Sequence, residues 1–274
     1  MRLTHCRALL AVAVFATLPL FAAATVSNDI LIPVVGFVDG NGVSYRTELV
    51  LTNHRDVLQY VSLSFIQDGH DSEFHVFALN PKETKFLPTA GFATGGGQNP
   101  KIGALRIRTK AAGTGNDDGV GKIEANAFIV ADRGRFGKDG SSRQEVAGIA
   151  SSEYTAEEAV FLGVRHSLGT GAYTNVGVVN MYAEPVTFYI RFQYSDPVAL
   201  VVPPFSLRQI RIPGEGSGGR YVHVYPEWSI GEGTPTHTTP WAAYASTVDM
   251  QTGDAYSGMR VPSDTKFDFP ELDE

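Results

Sequence analysis

Tyr60-Val61-Ser62-Leu63-Ser64-Phe65-Ile66 alternates apolar and polar residues with a period of two, which sets Val61, Leu63 and Phe65 on one face of an extended strand. Leu105-Arg106-Ile107-Arg108 and Tyr221-Val222-His223-Val224-Tyr225 repeat the pattern further along the chain. Between such runs stand clusters of turn formers: Asp39-Gly40-Asn41-Gly42, Gly95-Gly96-Gly97-Gln98-Asn99-Pro100 and Asn116-Asp117-Asp118-Gly119. The best helical candidate, Thr155 to Val160, is barely a turn and a half. Many short strands joined by Gly-rich turns predict an all-β chain of antiparallel sandwiches, immunoglobulin-like in kind. With 43% hydrophobic and 19% charged residues, the 274-residue chain is neither a disordered polymer nor a coiled coil. Its 29 glycines and 15 prolines agree with a turn-rich architecture.

The pattern is used twice. At a shift of 127 residues Thr47 falls on Thr174, Leu49 on Val176, Leu51 on Val178 and Asn53 on Asn180, while Leu63 meets Ile190 and Phe65 meets Phe192. The shift falls to 123 where Pro81 meets Pro204, then to 117 where Leu105 and Ile107 meet Val222 and Val224. At 118 Ala125, Ala127 and Val130 meet Ala243, Ala245 and Val248. Strand-like segments that keep their order while loops shorten are the mark of a duplicated β unit. Two tandem domains follow, residues 28–150 and 158–262, with Gly134 to Glu158 read as a connector and 263–274 as an acidic tail.

Ile32-Pro33-Val34 followed by Tyr45-Arg46-Thr47-Glu48-Leu49-Val50-Leu51-Thr52-Asn53 resembles the "IPV…RTDLVLTN" opening of a bacterial family of secreted tandem β-sandwiches. Tyr173-Thr174-Asn175-Val176-Gly177-Val178-Val179-Asn180, then Ala243-Tyr244-Ala245-Ser246-Thr247-Val248-Asp249 and Thr252-Gly253-Asp254, resemble it again. The resemblance implies extracellular or cell-surface domains in tandem and carries no catalytic residues. The first repeat departs from the pattern at Ala131-Asp132-Arg133, where the family has a "VDN" ending.

The N-terminus reads as a secretory signal: Arg2 and Arg7, an apolar run from Ala8 to Phe21, and Ala22-Ala23-Ala24 as a small-residue cleavage site, giving 1–24 as the signal peptide. That 14-residue run spans about 21 Å as a helix, short of the roughly 30 Å a membrane span needs. Cleavage would leave 20 basic against 29 acidic side chains, a net charge of −9. Such a chain lacks the cationic footprint that nucleic acid or an anionic membrane surface requires. The one cysteine, Cys6, lies in the signal, so the mature chain has no thiol for a disulfide, a thiolate metal site or a nucleophile.

Candidate chemistry is sparse. Thr47/Asn53 and Thr174/Asn180 bracket one strand in each repeat, either as a polar contact row or as asparagines closing turns on their own backbone. Gly115-Asn116-Asp117-Asp118-Gly119 offers hard oxygen ligands but is too short for a calcium loop. Asp71, Glu73 and His75 would share a face in regular strand geometry, either as a weak metal site or as a solvated edge. There is no His-x-x-x-His pair, nucleophile elbow or phosphate loop, and His166 beside Ser167 is mere adjacency. No catalytic residue, metal ligand or cofactor is therefore assigned.

Aromatic residues remain. Tyr221, Tyr225, Trp228 and Trp241 flank a Gly/Thr/Pro-rich loop, Gly231 to Pro240, and either pack the sheet or present rings to a sugar or protein partner. Tyr225, Trp228 and Trp241 are the candidate binding residues. The expectation is a secreted, non-enzymatic module that binds a polysaccharide or surface protein, without nucleic acid and without membrane insertion after signal cleavage. A self-associating envelope or filament subunit is the first alternative, and a hydrolase with an unrecognised site the second.

Overall fold

The computed structural model describes residues 26–40, 43–67, 69–88, 101–112, 121–132, 141–154, 158–165, 171–193, 195–212, 221–227, 240–249 and 255–260. They are almost wholly β, as expected, with no α-helix among the described residues and one 3-10 turn at Ser151–Glu153. The first half supplies β1 (Val26–Ser27), β2 (Asp29–Gly40), β3 (Val43–Asn53), β4 (Gln59–Gln67), β5 (His70–Leu79), β6 (Thr84–Leu87), β7 (Lys101–Ala111), β8 (Ile123–Asp132), β9 (Ser141–Ala147) and β10 (Ile149–Ala150). The second supplies β11 (Ala159–Leu162), β12 (Ala172–Asn180), β13 (Val186–Phe192), β14 (Val198–Val202), β15 (Ser206–Arg211), β16 (Tyr221–Pro226), β17 (Trp241–Asp249), β18 (Ala255–Ser257) and β19 (Met259–Arg260).

The duplication is written in the hydrogen-bond ladders. The antiparallel pairs β2–β7, β4–β7, β4–β5, β3–β6, β3–β8, β8–β9 and β2–β10 recur as β11–β16, β13–β16, β13–β14, β12–β15, β12–β17, β17–β18 and β11–β19. Registers agree residue for residue. Leu49 lies opposite Ala127 and Leu87, as Val176 lies opposite Ala245 and Ile210. In the second half the strands form a five-stranded sheet, β14-β13-β16-β11-β19, and a four-stranded one, β15-β12-β17-β18. In the first half β2 pairs with β7 over most of its length and with β3 at its end, so one ladder runs from layer to layer. It bends at a bulge between Ile32 and Val35, where Pro33 has no N–H to give a ladder.

Two corrections concern the segment read as a connector. Residues 141–150 are strands β9 and β10, paired to β8 and β2, and belong to the first half. Their polar composition is that of an edge strand burying one face only: Gln144 and Val146 point inward from an otherwise exposed run. The short helical candidate fails as well, since Ala159–Leu162 is strand β11 and 155–157 lie outside the described residues.

Inside the second sandwich, Phe188, Ile190, Val222 and Val224 of the five-stranded sheet face Val176, Val178, Trp241 and Ala243 of the four-stranded sheet. The four-stranded sheet is buried on its other face too. Val179, Leu207, Ala242 and Tyr244 join the core cluster built on Leu31, Leu105 and Val35 of the first half. The run Trp241-Ala242-Ala243-Tyr244-Ala245 is accordingly apolar without alternation, because each side of β17 meets a hydrophobic layer. No ladder joins the halves among the described residues. They meet through this shared core and through side-chain hydrogen bonds, including Gly69 N–H to Ser206 Oγ at 3.0 Å.

Candidate binding face

The outer face of the five-stranded sheet gathers the polar and aromatic residues of the second half. In β13 Phe188, Ile190 and Phe192 turn to the core, so Tyr189 and Arg191 turn out. In β16 Val222 and Val224 turn in, so His223 and Tyr225 turn out. The register sets Tyr189 opposite Tyr225 and Arg191 opposite His223. Cross-strand partners share a face. The Tyr189 and Tyr225 rings lie within 19° of parallel with centroids 5.7 Å apart, and the His223 ring lies 4.7 Å from that of Tyr225. Three rings thus form a strip across two strands.

The strip has a polar border. His223 Nε2 is 2.6 Å from Glu158 Oε2, which fixes the imidazole orientation. Burial pushes the His223 pKa down; the Glu158 carboxylate and its hydrogen bond oppose the shift, and the Arg191 charge adds to it. Burial pushes the Tyr225 hydroxyl up, against the pull of Arg191, so it stays a neutral donor at ordinary pH. Arg191 Nε and Trp241 Nε1 are the two buried side-chain groups with no hydrogen-bond partner among the described residues. The strip can stack against an apolar face and donate hydrogen bonds at its margin.

The sequence candidates separate. Tyr225 is half-buried and lies on the strip. Trp228 lies outside the described residues, as do His166, Ser167, His237 and the Gly115–Gly119 segment. Trp241 is core, a correction to its place among the binding candidates: it is 0% exposed and packs on Phe188 with ring centroids 5.0 Å apart. Tyr221 is buried with its hydroxyl donating to the Gln193 carbonyl at 3.3 Å. In the Asp71, Glu73 and His75 cluster the side chains of Asp71 and Glu73 lie outside the described residues, and the ladder between β4 and β5 shifts register between Leu63 and Ser64, opposite His75 and Glu73. Tyr189, Arg191 and Glu158 were not singled out from sequence. The alternation of Val186–Phe192 marks the first two as outward, but only the ladder brings them beside Tyr225.

The paired Thr and Asn residues are structural. Asn53 Nδ2 donates to the carbonyls of Val57 (2.9 Å), Leu79 (3.3 Å) and Asn80 (2.7 Å), and its Oδ1 accepts from Arg55 N–H at 2.8 Å. Asn180 does the same with Glu184 (2.7 Å), Val202 (3.1 Å), Pro203 (3.1 Å) and Tyr182 N–H (2.9 Å). Each closes an Asx turn and also ties the end of a later strand to it. Thr47 Oγ1 accepts from Gly36 N–H at 2.9 Å, and Thr174 binds Arg165 and Thr247, so both fasten the neighbouring layer.

Compared with protein-family models, with curated proteins and with solved structures, the chain matches none. Among the described residues no helix is long and apolar enough to cross a membrane.

Proposed function

We propose that the chain is a secreted, non-enzymatic β-sandwich module that binds a polysaccharide at the cell surface or outside the cell through the Tyr189–Tyr225 strip. The observation that carries this reading is the pair of near-parallel tyrosine rings on an outward sheet face, with His223 and Glu158 at its margin. Sugar rings present flat C–H faces that stack on aromatic rings while their hydroxyls bond to the border. The signal-like N-terminus and the resemblance to secreted tandem sandwiches support the address. The test compares binding of the wild type, Tyr225→Ala and Trp241→Phe to insoluble polysaccharides. Tyr225→Ala should weaken binding about tenfold, the ~1.4 kcal/mol of one aromatic contact, and Trp241→Phe should leave it unchanged. The reverse order would discard the strip.

A second reading is self-association. Strand β14 is an edge strand paired only with β13 among the described residues, and its Val201 is 60% exposed. An apolar edge can add a strand from another chain. Light scattering after size exclusion across a hundredfold concentration range decides it: growing mass favours assembly, and a constant monomer removes it.

A further inference from the structure

We infer that the junction of the two halves is a binding site for a small uncharged molecule with an apolar body and hydroxyl or amide groups at its edge. This site does not rest on the tyrosine strip. It is a cavity of about 340 Å³ between β2, β3, β7, β8 and β9 of the first half and β12, β15, β17 and β18 of the second.

Its walls follow from strand parity. Residues of β12 and β17 that point away from the second core, namely Tyr173, Asn175, Tyr244 and Ser246, point at the first half. The floor is aliphatic, with Val35, Ile129 and Val146 on one side and Val248 on the other. The polar side chains are those of tyrosines, Asn175, Gln144, Gln209, serines and Thr47, and no Asp, Glu, Lys, Arg or His lines the cavity among the described residues. Arg211 stacks over the Tyr173 ring at 3.9 Å without lining the cavity.

The walls are held in place. Gln144 Nε2 donates across the junction to Ser246 Oγ at 3.1 Å and to Ser257 Oγ at 3.0 Å, and Ser257 Oγ donates to the Glu145 carbonyl at 3.0 Å. Tyr244 donates to Gln209 Oε1, and Gly177 beneath it admits the ring, since a Cβ there would lie 2.0 Å from Tyr244 Cε1. A preformed, mostly apolar recess with a few fixed polar groups is the usual form of a small-molecule site. A dry cavity of about 150 Å³ takes up benzene, so this one, at more than twice that volume, has room for a molecule of several rings. With no charged side chain among the described residues of its walls, it should reject a charged ligand of the same shape.

The experiment titrates the full mature chain with two fluorescent probes of one framework, neutral N-phenyl-1-naphthylamine and anionic 8-anilino-1-naphthalenesulfonate. The expected result is saturable binding of the neutral probe at one site per chain, with the sulfonate at least about tenfold weaker. Ile129→Trp and Val248→Trp, which fill the cavity from opposite walls, should each weaken the neutral probe about tenfold or more, while Tyr225→Ala binds it as the wild type does. Absent saturation, equal affinity for both probes, or unchanged affinity in a filled variant that keeps its circular dichroism would overturn the proposal. Should neither filled variant fold, hydrogen exchange of the wild type decides: slower exchange of β9 and β17 amides with the neutral probe sustains the site, and no change removes it.

Discussion

Asn53 and Asn180 are each 0% exposed and each satisfy three carbonyls and one amide, with the bonds to the Leu79 and Val202 carbonyls fully buried. Replacing either by Ala strands those groups, at about 2–3 kcal/mol, which a urea unfolding midpoint would register in both variants alike. Gly177→Ala should cost about 1–3 kcal/mol by overpacking against Tyr244. Adding Tyr244→Ala should make the double variant lose less than the sum of the singles, because the clash partner is gone. Trp241→Ala should cost about 3–5 kcal/mol as a core truncation. His223 has a pH signature of its own. Burial holds its pKa below the ordinary 6.5, so the unfolded chain binds a proton more readily, and the contribution present above that value is lost as pH falls through the lower folded value. Between pH 7.5 and 5.5 the wild type should lose more stability than His223→Gln, and Glu158→Gln should deepen the loss by removing the group that raises the pKa.

At the scale of elements, sequence periodicity read some strands well and missed others for a physical reason. Tyr60–Ile66 sits inside β4 and Leu105–Arg108 inside β7, both central strands; burial enforces the alternation of Val61, Leu63, Leu105 and Ile107, while β4 is buried on its other side too at Ser64 and Ile66. Ser141–Ala147 reads as part of a connector because an edge strand commits only Gln144 and Val146 to the interior. Sequence leaves Trp241 open between sheet packing and a presented ring because β17 is buried on both faces and so shows no period from which to read a direction. The repeat was legible down to its changing shifts, since ladder register conserves spacing within strands and leaves loops free. The candidate site was legible only in part: Tyr225 could be named, but Tyr189, which stacks on it, and Glu158, which bonds its neighbour His223, lie 36 and 67 residues away in the chain.

For the whole molecule, the decisive feature is the sheet β15-β12-β17-β18, which serves the second sandwich with one face and the first half with the other. The halves should therefore unfold as one cooperative unit, and calorimetry of the full chain should give a single transition whose calorimetric and van't Hoff enthalpies agree. A fragment of residues 158–262 would expose Val179, Leu207, Ala242 and Tyr244 and should unfold at a lower temperature than the same strands do in the full chain. That rigid backing leaves the opposite, five-stranded sheet as the outward face of the second half, where the tyrosine strip lies. The most direct measurement is the depletion isotherm of the mature chain on cellulose, chitin and peptidoglycan, run beside Tyr225→Ala. Saturable retention on at least one of them, falling about tenfold in the variant, is the expected result. Retention on none, or retention indifferent to Tyr225, would contradict it.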